Sequence, residues 1–343
     1  MKICHVNLAS GFSGGERQTL QLIKQQLTEG TELIAVVNPK SPLVVELQTL
    51  PIELHFAKHY LYSHSRKITA GCDVIHVHEG RGIYWALLQN ALTGLPYIIT
   101  RRIDNLFKNR WLSNLAYRKS AALVGLSSEI VCNLRSQFPN NRCYKIPSSP
   151  VSYDVNCDQI HSIKNQYHGK FIVIHAANML KHKGFNLSVE AARYLQYSHP
   201  DIHFCLLGDG PEREALEIQA AVLSNVSFVG KMHNMGDWFS SADLLIHPSY
   251  SEGLGSVILE ALGFYLPVIG ANVGGIPDII EPGVSGLLCE KGNAKDLAEK
   301  IVQIYDSEML RARLRAGAEK KLPTFDIAHT STQYSQVYSE IGL

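Results

Sequence analysis

The sequence has no apolar stretch approaching the roughly 18 to 20 residues needed to span a bilayer, so membrane contact is expected to be peripheral. Its opening, MKICHVNLASG, carries one basic residue and an apolar run broken by His5 and Asn7. That is too short and too polar for a signal-peptide core, and it reads as a first β-strand. The seven cysteines form no C-x-x-C pair and their total is odd. This argues against a disulfide framework or zinc site and for free, reduced thiols in a cytosolic protein. Charge bias is also lacking: 32 Lys and Arg stand against 31 Asp and Glu, a net charge of +1. Nothing global therefore favours nucleic acid or an acidic partner, and any electrostatic preference must be local. No internal repeat or low-complexity tract is visible. Neither half opens with G-x-G-x-x-G, which argues against a nicotinamide-dependent oxidoreductase.

What is present is a chain of 343 residues, 45% apolar, long enough for two sizeable α/β cores. Short apolar runs alternate with amphipathic stretches, the pattern of βα units and a parallel sheet. The first half places strands near Lys2–Leu8, Glu32–Val37, Glu53–Phe56, Val74–His78, Tyr97–Thr100, Ala122–Leu126 and Cys143–Ile146. The second places them near Phe171–Ala176, His203–Leu207, Val226–Val229, Leu244–His247, Pro267–Ile269 and Gly286–Cys289. Between the halves, Pro147-Ser-Ser-Pro150 and a polar run to Gly169 read as an interdomain linker. The expected division is a first domain over 1–155, a second over 156–325, and a terminal helix over 326–343 in which Ile327, Tyr334, Val337, Tyr338 and Ile341 fall at helical spacing.

Chemistry concentrates in PSYSEGLGSVILEALG, Pro248 to Gly263. A strand, a Gly-rich loop and an apolar helix follow one another, with Ser256 the expected N-cap. Such a helix start offers backbone N–H groups and the positive end of the dipole to a diphosphate. Gly253 and Gly255 let the backbone approach a ligand closely. Glu260, one turn into the helix, can accept two protons from a vicinal diol such as a ribose, and Glu252 can do the same for a hexose hydroxyl. Taken singly, both glutamates also read as ordinary helix-face or first-turn charges.

The stretch resembles the E-x7-E signature of family 4 glycosyltransferases. Further parts of the resemblance are Ser13-Gly14-Gly15-Glu16, the HVHE of His76–Glu79, Lys183-Gly184, GDGP at Gly208–Pro211 and GGIPDII at Gly274–Ile280, which together span nearly the full chain in order. The resemblance implies an α/β protein of the GT-B fold, two Rossmann-like domains with a deep interdomain cleft. It implies retaining, metal-independent transfer of a hexose-like unit from a nucleoside diphosphate sugar to an acceptor hydroxyl, with no cofactor. In this family the N-terminal domain takes the acceptor and a terminal helix crosses back onto it. Nothing in the sequence marks a dedicated nucleophile, which suits front-face displacement assisted by the leaving diphosphate.

The resemblance also distributes roles. His78 and Glu252 would hold the sugar, and Lys183 with the backbone of Leu254, Gly255 and Ser256 would stabilise the departing charge. Glu260 would hold the ribose, while Gly230 and Lys231 would receive the base through backbone groups. Gly14 and Gly15 would let the first loop approach the donor, although a plain βα turn explains them too. His76 and His78 alternate on one strand face. For His78, a satisfied core histidine, half of a metal pair and a donor-sugar contact all remain open, the metal reading weakened because H-x-H lacks further ligands nearby. The family pattern has an Arg five residues before Lys183, and Asn178 stands there instead. Lys181 or His182 then compensates, or the diphosphate leans on the helix at Ser256.

One local charge feature stands in the first half. Arg101, Arg102, Lys108, Arg110, Arg118 and Lys119 face one acid, Asp104, with Phe107, Trp111 and Tyr117 interleaved. This suits an anionic membrane face or a glycan or lipid-linked acceptor bearing phosphate. The alternative is a solvated helix whose Trp111 and Leu115 pack into the core. The expected setting is cytoplasmic, peripheral to the inner membrane face, in envelope polysaccharide or lipopolysaccharide synthesis. The rival readings are a nucleotide-sugar 2-epimerase of the same fold and a non-catalytic nucleotide-sugar-binding protein.

Overall fold

The structure is a computed structural model that describes residues 1–104 and 110–341. Two units divide the chain, one of residues 1–149 with 325–343, the other of residues 150–324.

In the first unit, β1 (Lys2–Asn7), β2 (Glu32–Val37), β3 (Glu53–Phe56), β4 (Val74–Val77), β5 (Tyr97–Arg101), β6 (Ala122–Gly125) and β7 (Cys143–Lys145) form one sheet in the order β3-β2-β1-β4-β5-β6-β7. All the pairings are parallel. Helices cover the sheet, so the central strands are buried on both sides and read as continuous apolar runs. The terminal helix Ile327–Glu340, capped by Asp326, packs against the helix Gly14–Thr28. Its Tyr334, Val337 and Tyr338 enter the same core as Ile3, Ile23 and Val74.

In the second unit, β8 (Phe171–Ala176), β9 (Ile202–Leu207), β10 (Val226–Gly230), β11 (Leu244–His247), β12 (Val268–Ala271) and β13 (Leu287–Cys289) give the order β10-β9-β8-β11-β12-β13, again parallel. Two parallel, doubly wound sheets make this the GT-B type of α/β fold. In each sheet the order reverses once, between β1 and β4 and between β8 and β11. Ligands of open α/β sheets bind outside the carboxyl ends of the strands at such switch points. His78 follows β4, Asn178 and Lys183 follow β8, and the loop from Pro248 follows β11.

Two local expectations are corrected. The polar run expected to be a linker contains the helix Cys157–Gln166, whose N-terminal amides at Asp158 and Gln159 are capped by the Asn156 side chain. Only Ile163 of this helix is buried, so its apolar periodicity is too faint to read. The N-cap of the helix Ser256–Gly263 is Gly255, not Ser256. Gly255 has φ 95°, a left-handed conformation that a side chain at this position would strain.

Candidate active site

The second unit folds two distant parts of the chain onto one carboxylate. Lys183 ends a short 3-10 turn, Lys181–Lys183, after β8. Its Nζ donates to Glu252 Oε2 at 2.5 Å. His247, the last residue of β11, has Nε2 2.7 Å from the same oxygen, and Ser249 Oγ lies 3.1 Å from that Nε2. Burial pushes the Glu252 carboxyl up, but the hydrogen bond and charge of His247, joined by Lys183, outweigh it and hold the group at about 2. The carboxylate is thus ionised, nearly buried and fixed in direction.

Glycines hold this geometry through the backbone. Gly184 has φ 74°, and a Cβ there would meet the carbonyl oxygen of Pro248 at 2.0 Å. Gly274 has φ 58°, and its Cβ would meet the carbonyl oxygen of Glu252 at 1.8 Å. Gly275 N–H donates to that same carbonyl at 3.1 Å. Any larger residue at either position would have to move the Glu252 loop.

Beside this constellation lies a pocket of about 250 Å³ lined by Ala176, Ala177, Asn178, Leu207, Gly208, Lys231, Met232, Met235, Val257 and Glu260. Three residues singled out in sequence, Asn178, Lys231 and Glu260, meet here. The Tyr153 hydroxyl donates to Glu260 Oε2 at 2.9 Å, fixing one side of the carboxylate. Gly230 ends β10 with φ 89° and its carbonyl receives Gly208 N–H at 2.8 Å. Leu254 and Gly255 are buried, and Gly253 and Ser256 half-buried, at the turn entering the helix. Ile258 N–H donates to the Gly255 carbonyl at 2.9 Å, while helix geometry gives the amides of Ser256 and Val257 no intrahelical acceptor, so this turn presents donors and a positive dipole end. Lys181 and His182, which follow Asn178 in the chain, are exposed.

In the first unit, Ser13 N–H and Oγ both donate to Glu16 Oε2, at 2.8 and 2.7 Å, which closes the start of the helix at Gly14. Neither Gly14 nor Gly15 has a positive φ, so the turn does not need them for backbone reasons. A Cβ on Gly14 would meet nothing within 4 Å. Glu79 is a structural clamp: its carboxylate accepts the N–H groups of Leu8 at 3.1 Å, Arg81 at 2.6 Å and Gly82.

His78 is 2% exposed, and its Nε2 lies 2.8 Å from His5 Nδ1. His76 Nδ1 and Nε2 face Tyr338 Oη and Thr100 Oγ1, both at 2.8 Å. The structure therefore supplies the third imidazole that H-x-H spacing lacks, with His5, His76 and His78 offering atoms within 4.8 Å of one another. Burial, followed by the neighbouring histidines and Arg102, keeps His76 and His78 well below the ordinary imidazole range.

The basic segment separates into two groups. Arg101 and Arg102 are half-buried, donating to Tyr117 Oη at 3.2 Å and Ser148 Oγ at 3.3 Å. Arg110 is exposed and Trp111 is 76% exposed, so Trp111 does not pack into the core, and Leu115 at 37% barely does. Arg110, Trp111 and Leu112 instead line a pocket of about 690 Å³ with Tyr60 and Tyr84. Lys108 and Phe107 lie outside the described residues. Among the described residues no helix is long and apolar enough to cross a membrane.

Sequence reasoning missed His247, His5 and Tyr153. His247 carried a usable signal, a histidine at the carboxyl end of a buried strand facing the Gly-rich loop. His5 and Tyr153 carried none, because their partners come from other elements.

Comparison with known proteins fits this geometry. Residues 157–321 match the family described as glycosyl transferases group 1. An uncharacterized glycosyltransferase of Methanocaldococcus jannaschii is 28% identical over 285 residues, covering 79% of this chain and 76% of that protein. The alpha-D-kanosaminyltransferase of Streptomyces kanamyceticus is 26% identical over 78% of each. The crystal structure of Anabaena HepE in complex with UDP-glucose superposes with a TM-score of 0.82 at 18% identity, covering 99% of this chain and 100% of that one. The chain has the GT-B fold of these structures, and its second unit carries the match to glycosyl transferases group 1.

Proposed function

We propose that the protein is a retaining, metal-independent hexosyltransferase that uses a UDP-hexose as donor. The observation that carries this reading is the Lys183–Glu252–His247 constellation beside a glycine-capped helix start and the Glu260 pocket. Glu260, steadied by Tyr153, accepts the ribose hydroxyls. The diphosphate lies against the backbone amides from Leu254 to Ser256 at the helix start, where an anion is favoured. Asn178 and Lys231 line the nucleotide pocket, and Gly230 offers backbone groups to the base. That HepE is held in complex with UDP-glucose supports uridine as the base.

Glu252, ionised and oriented, accepts a hexose hydroxyl. The Lys183 ammonium neutralises charge that develops on the leaving diphosphate, which lowers the barrier more than it tightens ground-state binding. The anomeric C–O bond to phosphate breaks while a C–O bond to the acceptor forms on the same face. The acceptor proton passes to a phosphate oxygen, so UDP leaves and the anomeric configuration is kept.

The acceptor reading rests on the pocket of Tyr60, Tyr84, Arg110 and Trp111, whose aromatic faces and guanidinium suit a glycan or lipid-linked acceptor with an anionic group. Arg101, Arg102 and Lys108 add positive charge to the same region of sequence. This fits a cytoplasmic enzyme at the anionic inner face of the membrane, acting in envelope polysaccharide or lipopolysaccharide synthesis. The test is incubation with UDP-hexoses and lipid-linked or phosphorylated glycan acceptors, with the product linkage read by NMR. An α-linked product from an α-donor, formed in EDTA, supports the reading. An inverted product, donor isomerised without an acceptor, or EDTA-abolished activity overturns it.

A further inference from the structure

The pocket at the carboxyl ends of β8, β9 and β10 is lined by an ammonium and an acid that do not pair with each other. Lys231 and Glu260 both line it, and Glu260 takes its hydrogen bond from the Tyr153 hydroxyl. Among the described residues the Lys231 ammonium has no hydrogen bond or ion pair, and neither has the Asn178 side-chain amide. The other cations around these strand ends are engaged or lie outside the pocket. Lys183 donates to Glu252 at 2.5 Å. Arg213, whose Nη1 a Cβ on Gly230 would meet at 3.4 Å, is held by Glu217 at 2.8 Å and Asp209 at 3.9 Å. Lys181 and His182 are exposed and do not line the pocket.

Strand order explains how Lys231 and Asn178 come to share one cavity. β10, β9 and β8 are successive neighbours in the sheet, and Lys231, Gly208 and Asn178 each stand just past the end of one of them. The outer two strands are two spacings apart, about 10 Å. Gly208 between them brings no side chain, and a Cβ there would strike the Ala177 carbonyl oxygen at 1.8 Å. The register of β10 against β9 jumps from Phe228–Leu206 to Gly230–Leu207, which leaves Val229 as a bulge. Such a bulge re-aims the residues that follow it, and the left-handed Gly230, at φ 89°, completes the turn that brings Lys231 to the pocket. An ammonium with three donors and an amide with two, set on either side of a bare glycine, leave room for one tetrahedral anion.

A nucleotide carries its first phosphate one sugar ring away from its diol. An acid and an uncommitted ammonium lining a single pocket make the same division. We propose that the Lys231 side chain is the counter-charge of the phosphate attached to the ribose, and that the Asn178 amide donates to the same phosphate from the end of β8. This rests on the reading that Glu260 holds the ribose of a nucleoside diphosphate. It assigns the cation of the pocket to β10, and it leaves the amides at the start of the helix Ser256–Gly263 for the outer phosphate.

The experiment is calorimetry of uridine, UMP and UDP on the full chain, with melting temperatures to verify folding. Lys231→Met should weaken UMP and UDP about 10- to 100-fold, the loss of one charge-assisted hydrogen bond, and leave uridine unchanged. Lys231→Arg should keep most of the UMP affinity. Asn178→Arg placed in the Lys231→Met background should restore it, because a cation at the end of β8 faces the same phosphate. Lys181→Ala should change none of the three affinities. Rising salt should erode the advantage of UMP over uridine in the wild type and much less in Lys231→Met. Equal losses for uridine and UMP in Lys231→Met would put the side chain on the base and overturn the proposal, as would unchanged UMP affinity in that variant or no recovery on adding Asn178→Arg. A wild type that binds none of the three would remove the nucleotide reading itself and this proposal with it.

Discussion

The Lys183 ammonium and the Glu252 carboxylate meet at 2.5 Å although 69 residues separate them in the chain. The same carboxylate oxygen also receives His247 at 2.7 Å. Lys183 is therefore held directly against the Glu252 carboxylate, which His247 also fixes in place.

Lys183→Met should lower kcat about 100- to 1000-fold, the range for loss of one preorganised charge-stabilising group, with donor KM changed much less. Lys183→Arg should restore little, because a planar fork does not replace a compact ammonium within 2.5 Å of Glu252. Steady-state kinetics on both variants check this.

Acid should expose the Glu252 interaction as a stability term. The carboxyl is held at about 2 in the fold against an ordinary 4.5, so its contribution is complete above about pH 4.5 and lost as pH falls toward 2. The full term is on the order of 3 kcal/mol. Melting temperatures of wild type and Glu252→Gln should converge between pH 4.5 and 2.5 and stay apart at pH 7. A constant gap across that window would contradict the assignment.

Two glycines should behave oppositely. Gly274→Ala adds a Cβ 1.8 Å from the Glu252 carbonyl at φ 58°, and should cost about 2 to 4 kcal/mol of stability and most activity. Gly14→Ala has open space and ordinary φ, so stability should stay within about 0.5 kcal/mol and UDP affinity should not change. Denaturant melts and donor titrations separate the two.

Trp111 is 76% exposed, so Trp111→Ala should leave stability within about 0.5 kcal/mol. If it stacks on the acceptor, acceptor KM should rise by about tenfold, with donor KM unchanged. Equal acceptor KM in the two proteins would remove Trp111 from the acceptor face.

The central strands were legible because parallel strands buried on both faces appear as unbroken apolar runs, as in ELIAVV of β2 and FIVIHA of β8. The helix Cys157–Gln166 was not, since its stability comes from the Asn156 cap and packing rather than from an apolar stripe. The E-x7-E pair, Lys183 and Asn178 could be placed because each follows a strand end. Their mutual geometry could not. His5 opposes His76 only because β1 and β4 are neighbours at the switch point, a fact of sheet order. Sequence alone leaves Trp111 between a core and a surface role, because an aromatic at helical spacing says nothing about which helix face meets the core.

The most direct test of the account is calorimetric titration of UDP into wild type, Glu260→Ala and Tyr153→Phe. Wild type should bind one UDP per chain; Glu260→Ala should weaken it about 10- to 50-fold, through lost hydrogen bonds to a charged acceptor, and Tyr153→Phe by less than fivefold. Absence of UDP binding in the wild type, or equal affinity in wild type and Glu260→Ala, would contradict the central claim that this pocket holds a nucleoside diphosphate.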